Sequence, residues 1–353
     1  MTETHGVEGF DRKSRALVTG ASGFMGTHMV DLLLANGYEV VATDIYGAKP
    51  YRETKARFIP ADLTVAGDIH RFLAIEEPFD AVFHIAGLFD YSQPFHDLYR
   101  VNVLGALNLL EALRGEATDA PKSVVIWGAA GVYDFSHGGP VKESDPMRPS
   151  GGYLTSKWVQ IHEALRFGKR HNLPVTVIMP GGVYGPRSKY GVATSIMMAA
   201  RGAMGPIYMG SGKNRAGMVH VVDVCRAALF LAELSCVQPD RIDVAGQIFN
   251  VGDDSQYTVE KLTRAIAVQL GFPFIPWIRL PFGIMRTMVG NLGKKAEKLG
   301  RVSGVNEEML ALMTLDSLLD TSKLCALGWS ARYPDAVQGL LETVRWYEEE
   351  GLL

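Results

Sequence analysis

Two periodicities alternate through the first half of the chain and limit the folds that it can adopt. Six short apolar runs are predicted as strands, at Ala16–Thr19, Glu39–Thr43, Arg57–Ala61, Ala81–Ile85, Ser123–Trp127 and Val175–Met179. Longer segments with helical spacing lie between them, over Met25–Asn36, Asp97–Leu113 and Tyr153–His171. Strands that alternate with helices indicate βαβ units, and strands that are apolar throughout are typical of a sheet covered on both faces. The predicted fold is therefore α/β, with a doubly wound parallel sheet.

Three glycines follow the first predicted strand at intervals of three residues. The segment reads Thr19-Gly20-Ala21-Ser22-Gly23-Phe24-Met25-Gly26 and runs into a predicted helix. Such spacing permits a tight turn, close approach of the backbone to a pyrophosphate and close packing of helix on strand. The N–H groups at the start of the helix would then face the phosphates. With a strand before it and a helix after it, the pattern predicts a Rossmann-type dinucleotide-binding domain.

An acidic residue ends the second predicted strand. Asp44 lies 18 residues after Gly26. A carboxylate at this place accepts hydrogen bonds from the ribose hydroxyls and repels a 2′-phosphate. Asp44 therefore favours NAD over NADP as the cofactor, and the alternative is an aspartate that serves only a solvated turn.

The pattern changes after about Pro180, where glycine, proline and methionine become frequent. Residues 1–180 are predicted to form the NAD-binding domain, and residues 181–353 a smaller, mostly helical substrate-binding lobe. Because Val219–Glu233 has the pattern of a strand, a turn and a helix, residues 216–252 are predicted to return to the first domain.

Composition and charge narrow the class of protein. The 353 residues are 47% hydrophobic, with 35 lysines and arginines against 38 aspartates and glutamates. This balance gives no general electrostatic reason to bind nucleic acid. No apolar run is long enough to span a bilayer, and the polar N-terminus lacks the apolar core of a signal peptide. We therefore expect a soluble cytoplasmic protein.

Further motifs resemble those of the extended short-chain dehydrogenase/reductases, also called the NAD-dependent epimerase/dehydratase superfamily. They are Asp62-Leu63, His84-Ile85-Ala86-Gly87, Asn102-Val103-Leu104-Gly105, Tyr153-x-x-x-Lys157, Pro180 to Pro186, Val219 to Val224, Phe249 to Gly252, Asp320 to Lys323 and Leu327-Gly328-Trp329. Gly87 stands where the family more usually has alanine. The resemblance covers nearly the whole chain. It implies NAD as the cofactor, redox chemistry, and a homodimer formed through two helices beside the sheet.

The resemblance also implies which residues form the site. The cofactor would contact Gly20, Ser22, Gly23, Phe24, Met25, Gly26, Asp44, Asp62, Leu63, Ile85, Ala86, Gly87, Asn102, Lys157, Pro180 and Val183. The substrate would contact Phe89, Tyr91, Ala130, Tyr184 and Arg215. Nothing in the sequence supports metal catalysis.

Tyr153 and Lys157 are four residues apart and so share one face of a predicted helix. A free tyrosine titrates at about pH 10, which is too high for a base at neutral pH. A neighbouring ammonium group lowers the pKa of the phenol by stabilising the phenolate. We therefore expect Tyr153 to accept the substrate's hydroxyl proton during oxidation or to return it during reduction. The resemblance implies that Lys157 also holds the nicotinamide ribose.

Ala129 departs from the family's pattern. Family members end the fifth strand with Ser-Ser or Ser-Thr shortly before Val-Tyr-Gly, and the second hydroxyl bonds the reacting oxygen. Alignment on Val132-Tyr133 puts Ala129 at that catalytic position. Loss of a donor there can lower the rate by ~10²-fold or more.

Three explanations of this departure are open. Another hydroxyl can replace the donor, on Ser136, Thr155 or Tyr133, or a water can do so. The substrate can supply its own polar group, such as an adjacent carboxylate. The protein can also bind NAD without redox activity. We favour an enzyme with an altered oxyanion environment, because Tyr153 and Lys157 are retained.

Three segments are similar to the 3β-hydroxysteroid and sterol dehydrogenase branch. They are Phe89 to Asn102, Gly210 to Asn214, and the apolar stretch Gly271 to Gly293. The expected reaction is hydride transfer between NAD and a secondary alcohol or ketone of a sterol-, steroid- or terpenoid-like substrate. Decarboxylation would follow if the substrate carries a carboxylate β to the new ketone.

The segment 271–300 has three interpretations. It can line an apolar pocket, lie at a membrane surface, or form a packed core helix. Its basic residues would suit lipid headgroups; they are Arg279, Arg286, Lys294, Lys295 and Lys298.

Two other functions remain open. A nucleotide-sugar epimerase would use the same Tyr153 and Lys157, and Arg215 falls where such enzymes place an arginine on the substrate pyrophosphate. A non-catalytic, NAD-binding regulatory protein would explain Ala129.

Overall fold

The computed structural model describes residues 14–49, 54–74, 76–114, 120–189, 207–209, 211–237, 243–271, 278–281, 283–288, 290–291 and 314–353. The strands are β1 (Arg15–Thr19), β2 (Glu39–Thr43), β3 (Arg57–Phe58), β4 (Ala81–His84), β5 (Ser123–Trp127), β6 (Val175–Pro180), β7 (Gly182–Tyr184), β8 (Ile207–Met209), β9 (Met218–His220), β10 (Ile248–Val251) and β11 (Ile278–Leu280). The α-helices are α1 (Phe24–Ala35), α2 (Ala66–Leu73), α3 (Phe95–Leu98), α4 (Gly105–Leu113), α5 (Gly151–His171), α6 (Val221–Val237), α7 (Val259–Gln269), α8 (Ser322–Cys325) and α9 (Ala336–Glu349).

Seven strands form one parallel sheet in the order β10-β6-β5-β4-β1-β2-β3. β1 pairs with both β2 and β4, so Leu17 lies between Val41 and Val82. The strand order reverses direction at β1, and at such a point a crevice opens beyond the carboxyl ends of the strands. The predicted Rossmann-type, doubly wound parallel sheet is confirmed.

Helices cover both faces of this sheet. On one face α1 and α6 bury Met29, Leu33 and Leu231 against it, and on the other α4 and α5 bury Leu109 and Ile161. Every residue of β1 and of β5 is buried, as expected for strands between two helical layers. Each fully buried large apolar side chain contributes about 1.5–3 kcal/mol of transfer free energy, so these layers stabilise the platform that carries the site.

A third apolar cluster joins α7 and α9, with Leu262, Ile266, Leu340 and Tyr347 among its buried side chains.

Two small parallel sheets lie outside the main one, formed by β7 with β9 and by β8 with β11. The strand predicted at the start of Val219–Glu233 is therefore β9, which pairs with β7 and not with the main sheet. The helix that follows it, α6, does pack on the main sheet, and β10 forms that sheet's edge.

The helix predicted over Asp97–Leu113 is interrupted in the structure. After α3, residues Tyr99–Leu104 form a π-helical turn, and α4 begins at Gly105. π-helical turns inside α-helices are frequent at functional sites. Here the turn carries Asn102, which is completely buried.

No helix among the described ranges is both long and apolar enough to cross a bilayer. Most of the segment 271–300, for which a membrane-surface contact is one interpretation, lies outside the described residues. Its described part includes β11 and three hydrophobic residues of 283–288, of which Ile284 and Met288 are half exposed and Met285 is buried.

Candidate active site

The turn between β1 and α1 is packed so closely that two of its positions require glycine. Gly20 has a φ of 67°, and a Cβ atom there would lie 2.7 Å from the Ala86 Cα atom. A Cβ atom on Gly26 would overlap the Gly20 carbonyl oxygen and lie 2.8 Å from the Ala21 Cα atom. The turn therefore brings the start of α1 directly against the ends of β1 and β4.

The start of α1 suits an anion. Its N-cap residue, Gly23, supplies no side-chain acceptor, and the first turn has no acidic residue. The N–H groups of Phe24 and Met25 are thus left without a side-chain cap, at the positive end of the helix. The Ser22 hydroxyl is buried and has no hydrogen-bond partner among the described residues. A pyrophosphate would satisfy both the helix N–H groups and this hydroxyl, so these residues fit NAD.

Asp44 is held in a fixed orientation beside this turn. Its Oδ2 atom accepts a hydrogen bond from the Ser22 N–H at 2.9 Å, and its Oδ1 atom accepts one from the Ile45 N–H at 2.9 Å. Asp44 is only partly buried. The carboxylate that is predicted to bind the adenosine ribose is therefore tied to the phosphate-binding turn.

Other predicted cofactor residues lie at the carboxyl ends of neighbouring strands. Asp62 caps the turn after β3, where its Oδ1 atom accepts from the Thr64 N–H at 2.8 Å. The Ala86 N–H, after β4, donates to the Thr19 Oγ1 atom at 3.2 Å. The remaining positions are Leu63, in the turn that follows β3, Ile85 beside Ala86, Pro180 at the end of β6, and Val183 in β7.

Asn102 packs against the glycine at position 87. A Cβ atom on Gly87 would lie 3.1 Å from the Asn102 Oδ1 atom, a distance at which the amide would have to give way. That Oδ1 atom accepts a hydrogen bond from the Leu88 N–H at 2.7 Å, and the Nδ2 atom donates to the Leu88 carbonyl at 3.2 Å. Nδ2 also donates to the Ser156 hydroxyl at 2.9 Å. Asn102 therefore joins the segment after β4 to helix α5.

Tyr153, in the first turn of α5, lies in aromatic surroundings. The ring centroids of Phe89 and Tyr91 are 5.1 Å and 4.9 Å from that of Tyr153, and Phe89 meets the Tyr153 ring edge-on. Only 8% of Tyr153 is exposed. Burial, with a smaller contribution from Tyr91, raises the pKa of Tyr153 well above its ordinary value. The expected lowering of this pKa by Lys157 is not seen in the structure.

Lys157 shows why. Its Nζ atom donates to the Trp127 carbonyl at 2.6 Å and to the Gln160 side-chain oxygen. Lys157 is buried, and burial lowers its pKa to about 7. Because the same desolvation acts on both groups, it favours the neutral phenol and the neutral amine. Gln160 is not among the predicted site residues, although its position three residues after Lys157 places it on the same helical face.

His84, at the end of β4, also lies beside this buried region. Its Nδ1 atom hydrogen-bonds the Thr19 hydroxyl at 2.9 Å. Burial, and secondarily Lys157, lowers the pKa of His84 to about 3. His84 is therefore neutral at physiological pH and serves as a packed histidine of the strand.

The three side-chain hydroxyls considered as replacements at Ala129 have other engagements. The Tyr133 hydroxyl donates to the Asn250 Oδ1 atom at 3.0 Å in a buried setting. The Ser136 hydroxyl bonds the Asp134 carboxylate, which is one reason for the low pKa of that carboxyl group. Thr155 is two residues after Tyr153 on α5, and residues at that spacing do not share a helix face. None of these three is therefore suited to the reacting oxygen.

The predicted substrate residues separate into two groups. Phe89 is 49% exposed, Tyr91 is partly buried, and Ala130 is buried just after Ala129; the first two surround Tyr153. Tyr184 does not join them. It is 1% exposed within the α7–α9 cluster, where its ring packs against Gly339 and His220.

Arg215 is held by an acidic partner from far along the chain. Its Nε atom and one terminal nitrogen donate to the Asp316 Oδ2 atom at 2.9 Å and 2.7 Å, and its backbone N–H donates to Oδ1. The other contacts of the guanidinium are the Gln256 side-chain oxygen at 3.1 Å and the Gly138 carbonyl at 2.8 Å. The guanidinium is therefore neutralised and largely saturated by the protein itself.

Comparisons with known proteins agree with this geometry. The model of the NAD-dependent epimerase/dehydratase family matches residues 16–252. The chain is 29% identical over 283 residues to a UDP-glucose 4-epimerase of Mycolicibacterium smegmatis, covering 76% of this chain and 86% of the relative. It is 30% identical over 229 residues to the decarboxylating sterol-4-alpha-carboxylate 3-dehydrogenase of Homo sapiens, covering 63% of this chain and 58% of the relative.

Among solved structures, the UDP-glucose 4-epimerase of Thermus thermophilus in complex with NAD superposes with a TM-score of 0.73 at 25% identity. The superposition covers 95% of this chain and 99% of that one. The family match spans more than half of the chain, includes the glycine turn and the Tyr153–Lys157 pair, and is accompanied by neighbours solved with NAD. The chain therefore belongs to the NAD-dependent epimerase/dehydratase family of extended short-chain dehydrogenase/reductases, and its cofactor is NAD.

Proposed function

We propose that this protein transfers hydride between NAD and a secondary alcohol or ketone on an apolar, sterol- or steroid-like substrate. The observation that carries the proposal is the aromatic surrounding of Tyr153. Phe89 and Tyr91 pack on its ring, and Phe89 is half exposed. Apolar surfaces with a few polar groups are typical of sites for apolar ligands.

Each side chain then has a role in the reaction. When bound, NAD supplies the nicotinamide carbon that accepts or donates the hydride. Tyr153 takes the proton of the substrate hydroxyl as the C–H bond breaks, or returns it in the reverse direction. The ammonium form of Lys157 stabilises the Tyr153 phenolate. The buried packing of Tyr153 excludes water and holds the phenol in place.

The engagement of Arg215 supports the same substrate class. A nucleotide-sugar enzyme needs cationic donors for the diphosphate of its substrate. The Arg215 guanidinium already forms an ion pair with Asp316, which brings a negative charge to that position. An apolar alcohol requires no such cation.

Decarboxylation is a further part of the proposal. Ala129 provides no hydrogen-bond donor to the reacting oxygen. A substrate with a carboxylate near its hydroxyl would bring its own polar group to this place. When the carboxylate is on the carbon adjacent to the hydroxyl-bearing carbon, oxidation gives a β-keto acid. Its loss of CO₂ leaves an enolate, which takes up a proton to give the ketone. The similarity to the decarboxylating sterol dehydrogenase supports this step.

A nucleotide-sugar 4-epimerase is the second candidate. The M. smegmatis UDP-glucose 4-epimerase aligns with more of this chain than the human sterol dehydrogenase does. Epimerisation needs the same Tyr153 and Lys157, because it oxidises and then re-reduces one alcohol carbon. In that case Arg215 would have to exchange Asp316 for the substrate diphosphate.

The test follows NADH absorbance after addition of NAD with a panel of 3β-hydroxysteroids, 4-carboxysterols and nucleotide sugars. Steroid-dependent NADH formation that Tyr153→Phe abolishes supports the proposal. Tyr38→Phe is the control, because its hydroxyl donates a hydrogen bond to Glu233 in α6 and lies outside the site. An epimerase yields no net NADH, so chromatography of the sugars identifies it. Tight NAD binding without any turnover would instead favour a regulatory NAD-binding protein.

The fate of the carboxylate is tested separately. Mass analysis of the product from a 4-carboxysterol should show loss of CO₂. A ketone product that retains the carboxylate would eliminate the decarboxylation step while leaving the dehydrogenase proposal intact.

A further inference from the structure

The missing hydroxyl at Ala129 leaves a chemical requirement that another group must meet. An alkoxide that forms as Tyr153 removes a proton needs a second hydrogen-bond donor in an apolar site. The three hydroxyls predicted as substitutes are unsuited, as described above. One further hydroxyl, that of Tyr91, belongs to a ring that packs directly on Tyr153.

We propose that the Tyr91 hydroxyl is the second donor to the reacting oxygen and replaces the family's serine or threonine. The inference rests on the proposed hydride-transfer chemistry at Tyr153, whichever alcohol is the substrate. Tyr91 would hydrogen-bond the substrate oxygen beside Tyr153 and would not itself lose a proton. Tyr91, predicted above only as a substrate contact, would thus also take part in catalysis.

The geometry between the two rings favours this role. Their centroids are 4.9 Å apart and their planes are inclined at 56°, so the rings are neither stacked flat nor perpendicular. Tyr91 also acts electrostatically on the phenol of Tyr153. Tyr91 is thus one of the two aromatic side chains that directly surround the Tyr153 phenol.

The segment that carries Tyr91 is fixed by its own polar contacts. The Asp90 carboxylate accepts from the Ser92 N–H at 2.9 Å, from the Ser92 hydroxyl, and from the Gln93 side chain at 3.0 Å. Phe89 packs edge-on to Tyr91 with centroids 5.7 Å apart. Tyr91 is therefore held between a tight polar turn and an aromatic neighbour.

A second constraint fixes this segment relative to Tyr153. Asn102 bonds both backbone groups of Leu88 and the hydroxyl of Ser156. Ser156 donates in turn to the Tyr153 carbonyl at 2.7 Å. Preorganised donors stabilise developing charge most when their positions are set before the reaction, and this chain of contacts sets them.

The experiment uses the NAD-bound protein and 2,2,2-trifluoro-1-phenylethanol, an acidic secondary alcohol that mimics the reacting C–OH group. Calorimetry measures its dissociation constant in the wild type, Tyr91→Phe, Ala129→Ser and the double variant. Tyr91→Phe keeps the ring, so a packing role is preserved. Tyr99→Phe is the matched control, because the Tyr99 ring packs on the half-exposed Phe95.

We expect Tyr91→Phe to weaken probe binding by at least tenfold and Tyr99→Phe to leave it unchanged. Ala129→Ser should restore most of the affinity in the Tyr91→Phe background, because it returns the family's donor, and should add much less when Tyr91 is present. Such non-additivity identifies two groups that serve the same oxygen. NAD affinity should be equal in all five proteins.

Three results of the binding experiment would overturn the assignment. They are wild-type affinity in Tyr91→Phe, no recovery in the double variant, and no measurable binding of the probe to the wild-type complex. If no steroid gives NADH but the probe affinities change as expected, only the substrate class is rejected. Steroid turnover that Tyr91→Phe leaves unchanged would reject only the role of Tyr91.

Discussion

The side-chain amide of Asn102 donates a hydrogen bond to the Ser156 hydroxyl at 2.9 Å, inside the protein and away from solvent. Ser156 donates to the Tyr153 carbonyl, and Asn102 also accepts from the Leu88 N–H. One buried amide therefore sets the position of the acid–base helix relative to the segment after β4. The π-helical turn that carries Asn102 brings it to this junction.

Asn102→Ala should lower both stability and activity. The change leaves the part-buried N–H and carbonyl of Leu88 and the buried Ser156 hydroxyl without this partner, and an unsatisfied buried group costs about 1–3 kcal/mol. We expect the free energy of unfolding in urea to fall by about 2–4 kcal/mol. The control is Asn108→Ala, which removes one hydrogen bond to the Leu63 carbonyl from a partly exposed position. Equal unfolding free energies for the two variants would contradict the linking role.

The β1–α1 turn and the position of Asp44 at the end of β2 could be predicted because both lie within one βαβ unit. Local sequence specifies the order strand, turn, helix, strand. That order determines the positions of Gly20, Gly26 and Asp44. The pairing of Arg215 with Asp316 could not be predicted, because 101 residues separate them. Neither local sequence contains a signal for the other, so only the folded chain brings the two charges together.

The acid–base pair shows the same limit. The spacing of Tyr153 and Lys157 predicts a shared helix face, and both residues are indeed on α5. Their pKa values depend on what packs around them, and Phe89 and Tyr91 arrive from the segment after β4. Desolvation of this kind is a tertiary effect. The sequence therefore predicted the Tyr153–Lys157 pair, but not that burial raises the pKa of Tyr153 and lowers that of Lys157.

Gly26→Ala should damage the cofactor site without altering any polar side chain. Its Cβ atom would meet the backbone of Gly20 and Ala21, which cannot rotate away. Overpacking of this kind typically costs about 1–3 kcal/mol, and we expect NAD affinity to fall at least about tenfold, which corresponds to about 1.4 kcal/mol. Calorimetric titration with NAD measures the loss.

The matched control for that substitution is Gly67→Ala. Gly67 lies in α2 with no atom near its would-be Cβ position. Alanine should therefore stabilise the helix by about 0.5–1 kcal/mol and leave NAD binding unchanged. A similar loss of NAD affinity in both variants would show that the β1–α1 turn has no special packing requirement.

Asp44→Asn should reduce the preference for NAD over NADP. The amide keeps an oxygen acceptor for the Ser22 or Ile45 N–H but loses the negative charge. Hydrogen bonds to charged groups contribute about 1.5–3 kcal/mol, so NAD should bind roughly 10–100-fold more weakly, while repulsion of a 2′-phosphate is relieved. The ratio of the two dissociation constants is the measurement, with the surface substitution Asp97→Asn as control. An unchanged ratio would assign Asp44 to the turn alone.

The buried Lys157 should make stability depend on pH between neutrality and the alkaline range. Its pKa is about 7 in the folded protein and about 10.5 when unfolded. Between these values the unfolded chain binds more protons, so the free energy of unfolding rises with pH. The penalty is fully present below pH 7 and disappears as the pH approaches 10.5. One pKa unit is about 1.4 kcal/mol, which gives a change of the order of 5 kcal/mol.

Lys157→Met isolates this contribution, because methionine is of similar length and does not titrate. Urea unfolding from pH 6.5 to 9.5 should show a smaller rise in stability with pH for Lys157→Met than for the wild type. Lys157→Met also loses the hydrogen bonds to Trp127 and Gln160. This loss lowers the free energy of unfolding by the same amount at every pH, so it does not contribute to the difference in slope. Lys169→Met, at an exposed position near the end of the same helix, should keep the wild-type slope. Parallel curves for the wild type and Lys157→Met would mean that the Lys157 ammonium stays protonated in the folded protein, and that Tyr153 has its cationic neighbour even before a ligand binds.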